Sequence, residues 1–439
     1  MSDLKTTAVA TAQRLIDAGH TTYFAGGCVR DALLGKEPKD YDIATSATPD
    51  EVQALFPKSD AIGAHFGVIL VKENKTPFEI ATFRHDGSYK DGRHPESVTF
   101  STPEEDAQRR DFTVNGLFQH PTTGEIIDYV GGMADLETKT LRAIGTPADR
   151  FQEDALRLMR AVRFATLLDF EIDPKTWTAI NENANLLSQI SAERVRDEFT
   201  RTLVAPGRAR GFDLLTESGL MRHIVHEVYD LIGCEQPPQW HPEGDVYTHT
   251  RIMLDMLEGE VSTELALAVL LHDIAKPPTY TYDESEDRIR FNGHDRVGAE
   301  MAEVILRRLR YSNSAIEDVC AMVKNHMNFM NVMNMRTAKV KRFMSRPTFE
   351  QEMELHRVDC ASSNGLTENY DFLREKEKEF AAQPLIPEPL VTGRDLIDLG
   401  LKPGPEFKRI LTDIQTEQLE GRLDDRDAAL RHVKVLLGI

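Results

Sequence analysis

The sequence predicts an α+β protein, an α/β lobe followed by an almost wholly helical remainder. Three observations carry this reading. Helical and strand periods alternate through about the first 120 residues. From about residue 145 onward the apolar spacing is helical. A chain of 439 residues, at roughly 150 per domain, also has room for about three domains.

In chain order, TTYF reads as a strand, Gly26-Gly27 as a tight turn and CVRDALLG as a helix closed at Gly35. DYDIAT is the next strand, and Thr48-Pro49-Asp50-Glu51 opens a helix, with Thr48 as cap and Glu51 reaching back to it. HFGVILVKE and PFEIATFR form two strands joined by a short polar turn. TFRHDGSYKDGRHPESVTF, from 82 to 100, is rich in glycine and charge and reads as a mobile loop. RRDFTVNGL then opens a helix, and FQEDALRLMRAVRF is a strong helical pattern that puts Asp154 and Arg157 on one face. Pro237-Pro238 and PLIPEPL at 384–390 interrupt the helical half. The expected regions are 1–144, 145–236, 237–383 and 384–439.

A net charge of −20, from 72 acidic and 52 basic residues, taken alone argues against a nucleic-acid partner. Distribution counts for more than the total, because arginines gather in ERVRDEFTRTLVAPGRAR, RRLR and KVKR. The four cysteines lack a CxxC pair, which speaks against a disulfide framework or a thiolate zinc site. The longest apolar run, Leu265–Leu271, is far shorter than a membrane span, and the N-terminal segment has no signal-peptide pattern. A cytoplasmic location is expected.

Chemistry concentrates in the first lobe. Alternate residues of a strand share a face, so Asp40 and Asp42 stand about 6–7 Å apart and suit a hard divalent cation. Glu79 on the facing strand would complete a three-carboxylate cluster able to hold two Mg²⁺ ions for phosphoryl transfer. A bare DxD is commonly the solvent face of an edge strand. Here, however, the Gly26-Gly27 turn ends at a helix N-terminus that favours a phosphate, with Arg30 one turn in. Arg110, Asp111 and Asn115 suit triphosphate and ribose contacts.

GGCVRDALLG, KDYDIAT, FEIATFR, RRDFTVNGL, DYVGGMADL, EDALRLMRAVRF and ERVRDEFTRTL follow one another as in class II tRNA nucleotidyltransferases. That family comprises the CCA-adding enzymes and bacterial poly(A) polymerases, and the chain resembles it over about its first half. The resemblance implies a nucleotidyltransferase-fold head with a helical neck, body and tail, acting on tRNA with CTP and ATP. It implies that Asp40, Asp42 and Glu79 are catalytic through Mg²⁺, and that Gly26, Gly27, Arg30, Arg110, Asp111 and Asn115 position the nucleotide. Glu153, Asp154 and Arg157 would orient and read it, with Arg160 and Arg163 also in the nucleotide site; Arg194, Arg196 and Arg201 would contact RNA. A carboxylate beside a guanidinium matches the edge that cytosine and adenine share, whereas uracil and guanine present the reverse order. In the family, a loop like that at 82–100 separates enzymes that add the terminal A from those that stop after CC. The loop's presence here favours full CCA addition or A addition alone, and GAHFGVILV lacks the basic character of the matching strand in poly(A) polymerases, which lowers the poly(A) alternative without removing it.

A second constellation follows. His249, His272-Asp273 and Asp359 fall in the order of an HD-type metal phosphohydrolase, with LLHDIAKP the most specific stretch. His294 and His326 would add ligands for a second divalent metal. Resemblance to HD domains implies hydrolysis of phosphomonoesters or cyclic phosphodiesters. A nucleotide-sensing HD phosphohydrolase is the more distant alternative for the whole chain.

Overall fold

The computed structural model describes residues 3–63, 66–87 and 98–438, so the middle of the expected loop, 88–97, lies outside the described residues. The chain forms two compact units, Met1–Tyr229 with Arg308–Arg310, and Asp230–Arg307 with Tyr311–Ile439. The division falls at 229/230, where the prolines suggest 236/237.

The first unit opens with α1 (Asp3–Asp17), β1 (Thr22–Ala25), α2 (Gly27–Leu33), β2 (Ile43–Thr45) and α3 (Pro49–Leu55). Next come β3 (Ser59–Gly63), β4 (Val68–Glu73), β5 (Thr76–Thr82), β6 (Arg84–Asp86), β7 (Val98–Phe100) and α4 (Pro103–Gln108). β8 (Phe118–Gln119) and β9 (Ile126–Ile127) complete a seven-stranded sheet of order β3-β4-β5-β2-β1-β8-β9. Within this sheet, among the described residues, only β2 and β5 pair in parallel.

The residue pattern explains this sheet. In β4, Ile69 and Val71 are fully buried while Lys72 between strand and turn is exposed. Asn74 and Lys75 both adopt positive φ, the backbone a two-residue hairpin turn requires. At α3, Glu51 Oε2 accepts from Thr48 N–H at 2.8 Å and from Thr48 Oγ1 at 2.9 Å, as the capping signal predicts.

Four expectations are corrected. β2 begins at Ile43, so Asp40 and Asp42 precede the strand; only the Asp42 carbonyl, accepting from Ala25 N–H, extends its pairing. The ends of the 82–100 segment are not loop but the paired strands β6 and β7, with Arg84 opposite Phe100. FQEDALRLMRAVRF is two helices, because Asp154 is extended (φ −143°, ψ 102°) between them.

These helices are α6 (Pro147–Glu153) and α7 (Leu156–Leu168), preceded by α5 (Gly132–Glu137) and β10 (Thr140–Leu141). β11 (Glu171–Ile172), α8 (Pro174–Asn183), α9 (Ala192–Leu203), α10 (Arg208–Glu217) and α11 (Met221–Ile224) complete the unit. RRDFTVNGL yields a short 3₁₀ turn at Thr113–Asn115 in place of a helix start. Gly132 at the head of α5 is required by close approach, since a Cβ there would lie 2.3 Å from Thr113 O.

In the second unit, α12 (Val246–Met256) packs against α13 (Thr263–Leu271), and α14 (His294–Arg308), α15 (Asn313–Asn325), α16 (Thr337–Met344) and α17 (Phe349–Ser362) follow. α13 is the long apolar run, at most 8% exposed at each of Leu265 to Leu271, so its uniform hydrophobicity reflects a core helix. No described helix is long and apolar enough to cross a membrane. Beyond α18 (Glu368–Phe380), the last helices gather a separate apolar cluster that includes Val391, Leu396, Ile410, Ile414 and Val433.

Candidate active site and metal centre

The parallel register sets Ile43 opposite Ile80 and Thr45 opposite Thr82. Asp42, just before β2, and Glu79, in the middle of β5, are each one residue earlier and therefore side by side, and Asp40 lies two residues before Asp42. All three are open to solvent. The Asp42 carboxyl is pushed up to about 6, first because protein packed about it removes part of its hydration and then because Asp40 and Glu79 are like charges; Arg110 opposes the rise. Such mutual repulsion between carboxylates is what a divalent cation relieves.

Gly26 (φ 71°, ψ −124°) turns the chain next to this cluster, and a Cβ there would come within 2.9 Å of Arg110 Nη1. Glycine is thus needed for the backbone angle, and a side chain there would also push the Arg110 guanidinium aside. Gly27 begins α2, and on that helix Arg30 is 5% exposed, its Nη1 donating to Asn115 Oδ1 at 2.6 Å. Asn115 in turn donates to Asp111 Oδ1 at 3.1 Å, and Arg160 of α7 closes on Asp111 Oδ2 at 2.8 and 2.6 Å. A continuous polar chain therefore joins Arg30, Asn115, Asp111 and Arg160. Arg110 is held by Asp106, at 3.2 and 3.0 Å, a residue the motif reading does not pick out.

Asp154 and Arg157 do not share a helical face. Arg157 Nη1 donates to Glu153 Oε2 at 2.7 Å, and its Nη2 donates to the Arg109 carbonyl at 3.2 Å. Asp154 instead accepts from Arg194 Nη2 at 3.2 and 3.4 Å. Arg163 pairs inside the packing with Glu198 at 2.5 Å. Arg196 and Arg201 lie further along α9; Arg196 pairs with Asp197 at 2.7 Å, and Arg201 is exposed. Phe164, the last residue of EDALRLMRAVRF but given no role there, gathers the Arg30, Arg160 and Arg163 guanidinium groups at 5.2, 5.2 and 4.1 Å from its ring centre.

The second unit brings the six expected ligands together, four histidines around Asp273 and Asp359 beside His249. Asp273 Oδ2 lies 3.0 Å from His272 Nε2 and 3.8 Å from His249 Nε2, while Oδ1 lies 3.4 Å from His294 Nε2 and 3.8 Å from His326 Nε2. Asp359 Oδ1 is 3.3 Å from His249 Nε2. Each imidazole is oriented through its other nitrogen. Nδ1 donates to Glu243 in His249, to Val269 O in His272, to Phe291 O in His294 and to Val323 O in His326, at 2.6 to 2.9 Å. All four Nε2 atoms are thereby aimed at one carboxylate, and those of His249 and His272 are buried without a hydrogen bond. His294 and His326 Nε2 face each other at 3.1 Å. Such a donor set fits divalent cations, with Asp273 able to bridge two of them.

Electrostatics agree. Burial opposes a charged His249, but Asp359 and Glu243 outweigh it and hold its pKa up at about 9 in the absence of a cation. Burial and then the neighbouring His272 keep His326 neutral, at about 4. Asp273 and Asp359 stay ionised despite burial, through His272 and Lys276 around the first and His249 beside the second.

Against known proteins, the Poly A polymerase head domain matches residues 22–142, the probable RNA and SrmB-binding site of polymerase A matches 169–231, and the HD domain matches 245–360. The CCA-adding enzyme of Bacillus cytotoxicus is 31% identical over 430 residues, which cover 96% of each chain. The chain belongs to the CCA-adding enzyme family. A second CCA-adding enzyme, from Ligilactobacillus salivarius, is 30% identical over 428 residues, covering 97% of this chain and 95% of that one. The solved CCA-adding enzyme of Bacillus stearothermophilus in complex with CTP matches with a TM-score of 0.76 at 27% identity, covering 100% of both chains. Within this family framework the chain is a nucleotidyltransferase with an HD domain in its helical half.

Sequence reasoning missed His241 and Glu243. Glu243 Oε1 accepts from His249 Nδ1 at 2.7 Å and from His241 Nδ1 at 2.9 Å. The signal was present in QWHPEGDVYTHT, a His and a Glu within eight residues of a proposed ligand, but nothing local says which way that loop folds. Lys276 was also missed, although it lies inside LLHDIAKP; its Nζ is 2.6 Å from Asp273 Oδ2 and 2.6 Å from Gln236 Oε1.

Proposed function

We propose that the chain adds CMP and AMP from CTP and ATP to the 3′ end of tRNA, completing the CCA terminus. The pairing that sets Asp42 level with Glu79, with Asp40 close by, carries this reading. These three carboxylates would hold Mg²⁺, which neutralises the triphosphate and favours ionisation of the attacking hydroxyl. In the step itself the RNA 3′ oxygen bonds to the α-phosphorus and pyrophosphate departs, so no protein nucleophile is required. Arg110 faces the same turn and supplies positive charge toward the phosphates, while Arg30 and Asp111, locked through Asn115, give the sugar and phosphates a fixed floor. Asp154 accepts from the exocyclic amine and Arg157 donates to the ring nitrogen.

The test is tRNA lacking its last three residues, offered CTP and ATP singly and together. CTP alone should give CC, both together CCA, and ATP alone little product. Long A tails from ATP alone would instead identify a poly(A) polymerase, and extension only of tRNA already ending in CC an A-adding enzyme.

A second activity is proposed for the HD domain, on the convergence of four imidazole Nε2 atoms at Asp273. With divalent metal bound there, the domain hydrolyses terminal phosphomonoesters or 2′,3′-cyclic phosphates. Asp273→Ala should remove this hydrolysis and leave CMP addition intact. Loss of both activities in a folded variant would refute separate sites.

A further inference from the structure

Asp154 lies in the break between α6 and α7, where helical neighbours do not hold it. Its Oδ1 accepts from Leu156 N–H at 3.0 Å, a local bond two residues along the chain at the start of α7. The Arg194 Nη2 atom is 3.4 Å from Oδ1 and 3.2 Å from Oδ2. An ionised carboxylate oxygen offers about two acceptor positions. Leu156 and Arg194 occupy those of Oδ1, and Arg194 takes one of Oδ2, leaving one.

Arg194 is itself well placed. It is the third residue of α9, whose Val195 and Phe199 are buried and whose Glu198 is tied to Arg163 of α7 at 2.5 Å. Across the break, Arg157 is held by Glu153. Each member of the base-reading pair thus has a separate counter-ion, Glu153 for the guanidinium and Arg194 for the carboxylate.

We propose that Arg194 is a positioning residue for nucleotide selection, fixing the plane of the Asp154 carboxylate so that one acceptor position on Oδ2 faces the exocyclic amine of cytosine or adenine. The proposal rests on Asp154 reading that amine. It reassigns an arginine that motif order places among the RNA contacts. Without Arg194, Asp154 keeps only its bond to Leu156 and can turn toward water. The attraction for an amine and the repulsion of a uracil carbonyl then weaken together.

The experiment compares wild type, Arg194→Ala, Arg194→Lys, Asp154→Ala and the double alanine variant, each checked for folding by circular dichroism. Single-turnover incorporation of CMP and UMP is measured on tRNA ending before CCA, alongside tRNA affinity. Arg194→Ala should lower CTP-over-UTP selectivity by roughly three- to tenfold with tRNA affinity unchanged, and Arg194→Lys should recover part of the loss. The double variant should be no less selective than Asp154→Ala alone. Weaker tRNA binding with selectivity intact would make Arg194 an RNA contact and overturn the proposal, as would additive losses in the double variant. If Asp154→Ala itself keeps wild-type selectivity, the base-reading assignment fails, and the proposal with it.

Discussion

Arg160 closes on Asp111 Oδ2 through two nitrogens, at 2.8 and 2.6 Å, and so ties α7 to the segment that follows α4. Burial alone would raise the Asp111 carboxyl, but Arg160, Asn115 and the Phe112 N–H overcome it and hold its pKa down at about 2. A carboxyl depressed in the folded state stabilises fully above its unfolded pKa and loses that contribution as pH falls toward the folded value. The contribution, about 2 kcal/mol, is therefore expected to be present at pH 5 and above and to vanish between about pH 4 and pH 2. Denaturant unfolding of wild type and Asp111→Asn checks this. The stability gap between them should shrink across that window, and a gap independent of pH would contradict the assignment.

Asp42→Ala should abolish nucleotide addition while leaving tRNA affinity and fold largely intact, because Asp42 is solvent-open and only its cation-holding role is lost. Incorporation assays in saturating Mg²⁺ beside tRNA binding measurements separate the two. Retention of more than a few per cent of the rate would remove Asp42 from the catalytic set.

For base selection, Asp154→Ala should reduce discrimination of CTP over UTP by about ten- to a hundredfold, since a buried hydrogen bond to a charged group is worth roughly 1.5–3 kcal/mol. Arg157→Ala should weaken CTP and ATP alike, because both bases present the same ring acceptor. All four triphosphates, supplied separately, provide the readout.

Gly26→Ala should be inactive or nearly so. The new methyl group meets Arg110 Nη1 at 2.9 Å, and φ 71° is itself strained for any side chain, at about 1–3 kcal/mol. A rise in KM for the nucleotide, larger than any fall in thermal stability, is the expected signature. Normal kinetics would mean the turn relaxes without moving Arg110.

At the HD cluster, Glu243→Ala frees the His249 ring from its 2.7 Å hydrogen bond. Affinity for Mn²⁺ or Co²⁺ should fall by about ten- to a hundredfold while CMP addition is unaffected. Titration followed by calorimetry or Co²⁺ absorption measures it directly, and unchanged affinity would show that Ser362, whose Oγ lies 3.3 Å from His249 Nδ1, is enough to orient the ring.

The sequence by itself determined the elements whose signals are local. The Asn74-Lys75 hairpin, the Thr48/Glu51 cap and the apolar α13 each follow from a few adjacent residues, and so does the order of the head motifs that announces the family. It also named six residues that the structure brings together, Asp273 among them, because the HD pattern fixes residue type and order. The tertiary structure decided which charged partners meet. A periodicity of three or four residues places Asp154 and Arg157 on one face only if the helix continues, yet Asp154 lies extended between α6 and α7, bonds Leu156 N–H and takes Arg194, forty residues away, as its partner. Glu243 and His241 reach His249 through a loop whose path no spacing encodes. Hydrogen-bond partners of this kind depend on how separate elements pack, and packing is set by contacts summed over the whole core, which a local pattern does not contain.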